Sequence, residues 1–159
     1  MTSKDYDVVF TASASHALHL LASSYSPVEG EPNDLSRVHF SFCNHSHTSV
    51  VGMRAELRAR GATVQSFDRS QVQPAASAAV AEHGTCTAAQ HHLVAYPAMC
   101  NFSGERYPLD WCGRLKAGEL HVRTAPLQTT HVCMHHVVLC VCAMCVPCAC
   151  VFCVSMITC

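Results

Sequence analysis

Charge is what this chain lacks most conspicuously. No Asp, Glu, Lys or Arg occurs after Arg123, and over the whole chain charged residues make up only 13 %. A formal net charge of -1 argues against a nucleic-acid partner, which would need a basic face. Lysine is almost absent, with Lys4 and Lys116 alone. No basic amphipathic stretch suggests a helix lying on a membrane surface. The start, Met1-Thr2-Ser3-Lys4-Asp5, runs directly into Tyr6-Asp7-Val8-Val9-Phe10 without an apolar signal-peptide core, so the expected compartment is the cytoplasm. The glycine-rich loops that cradle phosphates in P-loop and dinucleotide folds are missing as well.

Cysteine is abundant but unevenly placed. Cys43, Cys86, Cys100 and Cys112 are scattered, whereas the other eight lie between Cys133 and Cys159. Two compositions therefore meet near Gly118 to Leu127. At 159 residues there is room for one domain or a large piece of one. The expected division is a folded part over 5–120 and a Cys/Val-rich, low-complexity tail over 121–159.

The stretch Val38 to Gly61 organises the first part. Val38, Phe40 and Phe42 form an apolar run of strand length. A polar turn, Cys43 to Thr48, carries His45 and His47. Val50, Val51, Met53, Leu57 and Ala59 then recur at helical spacing, with Arg54, Glu56, Arg58 and Arg60 on the other side. Thr48 or Ser49 is the expected cap, and Gly61 suits a left-handed helix end. Ligands sit at the carboxyl ends of strands in open α/β sheets, although an ordinary βα unit with a polar loop fits the same pattern.

Similar units flank it. Asp7–Phe10 is a buried-strand candidate, followed by the small residues Thr11 to Ser15 and a helix over His16–Ala22. Ser13, Ala14 and Ser15 could hold a phosphate at the helix N-terminus; an ordinary serine cap explains them equally. Tyr25 to Ser36 reads as a surface loop. Ala62–Phe67 and His91–Tyr96 read as strands, Ala75–Glu82 as a short helix, and Leu109–Ala117 as a helix opened by Pro108 and ended by Gly118. Ala98 to Gly104 is a loop presenting Asn101 and Ser103. This alternation predicts an α/β fold, a mostly parallel sheet with helices on both faces and right-handed crossovers. The loops 11–15, 43–48 and 97–104 would open on one rim.

FTASASHAL, SHTSVVGMR and AYPAMCNFSGERYPLDW, in this order, resemble the N-terminal part of the molybdenum cofactor sulfurases. These belong to the class V aminotransferase and cysteine desulfurase group. The resemblance covers about Asp5 to Leu120 and is weakest from Ser66 to His91. It implies an incomplete large domain of a fold-type I transferase dependent on pyridoxal 5'-phosphate. It implies L-cysteine as sulfur donor, molybdenum cofactor as acceptor, and a homodimeric parent. By the same resemblance Ser13, Ala14 and Ser15 hold the cofactor phosphate, His47 stacks on the pyridine ring, and Asn101 approaches its phenolic oxygen. Ser13 stands where the family has glycine, and His16 and His19 where it has Ala and Lys. The family's Schiff-base lysine, its pyridine-binding acid and its persulfide cysteine lie beyond Trp111. The expectation is thus a fragment inactive alone, with no catalytic residue of its own. The alternative is a non-catalytic, truncated isoform acting as an interaction or membrane-tethered module.

The tail, HVCMHHVVLCVCAMCVPCACVFCVSMITC, admits four readings. Val137 to Thr158 is uncharged and, at about 20 residues, long enough for a membrane helix, but it lacks flanking charge and contains Pro147. Cys142, Cys145 and Cys148 show a C-x2-C-x2-C spacing, yet Phe152 falls where a ferredoxin-type fourth ligand belongs. A disulfide framework conflicts with a cytosolic setting. Finally, Cys/Val alternation is what a TG dinucleotide repeat encodes, which fits read-through or a misjoined exon and an irregular tail.

Overall fold

The computed structural model describes residues 9–27, 33–74, 90–123, 134–141 and 153–155. Its elements, in order, are α1 (Ala14–Ser24), β1 (Val38–Cys43), α2 (Thr48–Ala59), β2 (Thr63–Phe67), β3 (Val72–Pro74), β4 (Gln90–Pro97), α3 (Trp111–Lys116), β5 (Leu120–Val122), β6 (Met134–Val141) and β7 (Cys153–Ser155). Strands β2-β1-β4-β6-β7 form one sheet, parallel throughout except for the antiparallel β6–β7 pair. β3 and β5 make a separate antiparallel pair.

Alternation of side chains across β1 and β4 divides the core in two. Val38, Phe40, Phe42, Leu93 and Ala95 point to one face and pack against Leu18 and Ala22 of α1 and Val50, Met53 and Leu57 of α2. Cys43, Val94 and Tyr96 point to the other and meet Tyr107, Trp111 and Leu115. An α/β sheet with helices on both faces is therefore present, as expected. Both faces of β4 are covered, so its apolar run is continuous, the pattern of a buried parallel strand.

Gly61 ends α2 with φ of 96°, as the sequence predicts. The cap at the other end differs: His47 takes it, its Nδ1 accepting from Ser49 N at 3.2 Å, rather than Thr48 or Ser49. Arg60, read as part of a solvent face, is half-buried. Its guanidinium donates to the carbonyls of Ala22 and Tyr25, both at 2.6 Å, and so satisfies the carboxyl end of α1.

Three other expectations changed. Val9 and Phe10 lie outside any strand and are exposed, so the described half of the Asp7–Phe10 strand is absent. The Tyr25–Ser36 loop is not wholly superficial, because Tyr25 and Leu35 are core residues. The tail is partly regular: residues 134–141 form strand β6 beside β4, where a membrane helix over Val137–Thr158 would have begun. Among the described residues no helix is long and apolar enough to cross a membrane. The Ala75–Glu82 helix and Cys142, Cys145 and Cys148 lie outside the described residues.

Candidate functional site

Adjacent parallel strands bring their carboxyl ends together. Phe42 of β1 is in register with Ala95 of β4, so the turn at 43–48 and the loop at 97–104 emerge side by side. Both are tightly built. In the first, Ser46 N donates to Cys43 O at 2.9 Å, and Asn44 anchors to β2 through Phe67 O at 2.9 Å and to Asp68 Oδ1 at 2.8 Å. In the second, Cys100 N donates to Glu105 O at 2.8 Å and Gly104 N to Cys100 O at 2.9 Å. Gly104 has φ of 73°, a turn that a side chain would strain.

A polar clasp joins the two. Tyr107 Oη lies 2.7 Å from His45 Nδ1, which is also 3.2 Å from Glu105 Oε2. Arg69 donates to Glu105 at 3.0 Å and sits 5.6 Å above the Tyr107 ring centroid. Burial pushes the Tyr107 phenol well above its ordinary pKa, so it stays protonated. Burial likewise raises the Cys43 thiol beneath it. The Cys100 thiol is lowered, first by the Ser103 hydroxyl and then by the Ser103 and Phe102 amides.

Between turn and loop lies a cavity of about 170 Å³ lined by His45, Ser46, His47, Thr48, Pro97 and Asn101, among others. His47 and Asn101, predicted from sequence, thus share one cavity. The His47 ring is fixed by its cap to Ser49. The Asn101 side chain is exposed and makes no hydrogen bond to a described residue. Ser46 Oγ is buried and has no hydrogen-bond partner among the described residues. A larger open hollow of about 430 Å³, lined by Arg54, Arg58 and Gln65, contains none of the predicted residues.

Ser13, Ala14 and Ser15 do not line the cavity. They form the start of α1, where Ser13 Oγ accepts from His16 N at 3.1 Å. Ser13 has φ of -164° and ψ of 167°, extended backbone open to any residue, so a serine there is unstrained. Sequence reasoning noted His45 without giving it a role and missed Ser46, Glu105, Arg69 and Tyr107. Only the Tyr-Pro pair after the loop hinted at the last. Among the described residues no group of three potential metal ligands occurs.

No family model matches the chain, and no solved structure does. Curated proteins do. Human molybdenum cofactor sulfurase is 38 % identical over 126 residues, covering 79 % of this chain and 14 % of the relative. The bovine protein of the same name is 36 % identical over 123 residues, 77 % of this chain and 14 % of its own length. The zebrafish (Danio rerio) one is 30 % identical over 118 residues, 74 % and 14 %. The chain spans about one seventh of the length of these relatives. Matches of this extent mean that the chain belongs to the molybdenum cofactor sulfurase family.

Proposed function

We propose that this chain supplies one wall of the cofactor site of a sulfurtransferase dependent on pyridoxal 5'-phosphate, which passes sulfur from L-cysteine to the molybdenum cofactor. The observation that carries the reading is that His47 and Asn101 line one cavity at the carboxyl ends of two neighbouring parallel strands. The residues suit a planar, polar ring. His47 offers an aromatic face held by its own cap and Asn101 an unengaged amide. The amides of Ala14 and Ser15, in the first turn of α1, have no partner among the described residues and would receive a phosphate. When bound, the cofactor supplies an electron sink for bonds to an amino-acid carbon. The chain's own residues bind and orient it; Lys116, exposed on α3, does not line the cavity. Alone, therefore, the chain binds the cofactor without turning over L-cysteine.

Titrating pyridoxal 5'-phosphate into the full chain, followed by Trp111 fluorescence and by absorbance, tests this. Saturable binding that weakens by about tenfold in His47→Ala and in Asn101→Ala is expected. Binding that does not saturate, or that ignores both substitutions, sinks the reading. Sulfide release from L-cysteine would show that the nucleophile had been misplaced.

A further inference from the structure

The hollow of about 430 Å³ opens near the carboxyl ends of β1 and β2 and shares no lining residue with the cofactor cavity. Phe42 and Ser66 are cross-strand partners in register, so both side chains project from the face of the sheet that α2 covers. Arg54 and Arg58, four residues apart, share one side of α2 and line the same hollow. Arg58 Nη2 reaches Val64 O at 3.4 Å, which sets its guanidinium against β2. Two cations from the helix thus stand over a floor made by the strand pair.

Charge decides what the hollow can hold. Among the described residues neither Arg54 nor Arg58 forms an ion pair, and no carboxylate lines the hollow. Like charges four residues apart on a helix repel, so the pair gains from an anion shared between them. Guanidiniums grip phosphate oxygens bidentately, and a phosphomonoester, with a charge of about -1.5 to -2, balances both arginines where a carboxylate balances one. Ser66 is exposed and its hydroxyl has no hydrogen-bond partner among the described residues, so it is a third donor. Gln71 is already engaged, accepting from Asp68 N and donating to Arg123 O. The hollow is too large for a phosphate alone and falls within the range of small-molecule sites, about 300–1,000 Å³, with Phe42 as an apolar surface. We propose that Arg54, Arg58 and Ser66 form a site for the phosphate group of a small phosphorylated molecule, separate from the cofactor cavity.

Phenyl phosphate, inorganic phosphate and acetate test this. Each is titrated at constant ionic strength into the full, reduced chain, with the Ser66 amide and the Nε signals of Arg54 and Arg58 followed by NMR. Phenyl phosphate is expected to shift all three saturably and to bind at least as tightly as inorganic phosphate, with acetate weaker than either. Arg54→Gln and Arg58→Gln should each weaken phenyl phosphate binding about tenfold, the worth of one charged hydrogen bond. Arg37→Gln removes the same charge from an exposed position just before β1, at its amino end, and should leave the affinity unchanged. No saturable shift, acetate as tight as phenyl phosphate, phenyl phosphate weaker than inorganic phosphate, or an equal loss in Arg37→Gln overturns the site. Pyridoxal 5'-phosphate is itself a phosphomonoester. Were its binding to respond to Arg54→Gln and not to His47→Ala, the cofactor reading would fail and this site would stand.

Discussion

Tyr107 Oη stands 2.7 Å from His45 Nδ1, across a sequence separation that joins the turn after β1 to the loop after β4. Both walls of the candidate cavity are thereby held by one phenol. The Tyr107 ring also packs against Trp111, with centroids 6.0 Å apart, and near Tyr96.

Tyr107→Phe keeps that packing and removes only the hydroxyl. We expect a loss of about 1 kcal/mol in urea unfolding, the net worth of one hydrogen bond. Tyr107→Ala should cost about 3–5 kcal/mol, because it also empties an aromatic site. Equal effects of the two substitutions would mean that the hydroxyl, not the ring, dominates the clasp.

Tyr25 sets an alkaline limit on stability. Its hydroxyl is buried without a hydrogen-bond partner among the described residues, and burial pushes its pKa up to about 12 from the ordinary 10.0. The folded state thus binds this proton more tightly than the unfolded chain. Its contribution is fully present below pH 10 and is lost as pH rises from about 10 towards 12. The wild-type protein should lose on the order of 2–3 kcal/mol more than Tyr25→Phe across that window. Parallel pH profiles of unfolding free energy for the two proteins would contradict this.

Gly61 closes α2 in a conformation that favours glycine. At φ of 96° it lies in the left-handed region, and a Cβ added there would also come 3.4 Å from Ser36 N. Gly61→Ala should cost about 1–2 kcal/mol, read as a lower thermal midpoint without change in cavity ligand binding. Gly52→Ala, where an added Cβ meets nothing within 4 Å, is the control and should be neutral or slightly stabilising.

What the chain disclosed in advance has a physical pattern. Val38–Cys43, Thr48–Ala59 and Thr63–Phe67 were readable because strand length, helical spacing and a terminating glycine are local signals. The sharing of a cavity by the loops after β1 and β4 followed from where parallel strands end. Long-range partners were not readable: nothing near Arg60 marks it as the cap of α1, and nothing near His45 points 62 residues on to Tyr107. β3 and β5, at three residues each, are too short for periodicity to register. Strand β6 is obscured by the composition around it, since its short apolar stretch Val137–Val141 runs without a break into the Cys/Val alternation that follows.

His47 combines two duties that substitutions can separate. Its Nδ1 caps α2 by accepting from Ser49 N at 3.2 Å, a structural role, while its ring forms part of the cavity wall assigned to the cofactor. Asparagine is a good cap without an aromatic face, and phenylalanine is the reverse. His47→Asn should therefore unfold within about 0.5 kcal/mol of the wild type, yet bind pyridoxal 5'-phosphate about tenfold more weakly. His47→Phe should lose about 0.5–2 kcal/mol of stability and keep most of its affinity. Urea titration and cofactor titration on the same two proteins give four values. If affinity tracks stability in both, His47 serves only as a cap and the stacking role fails.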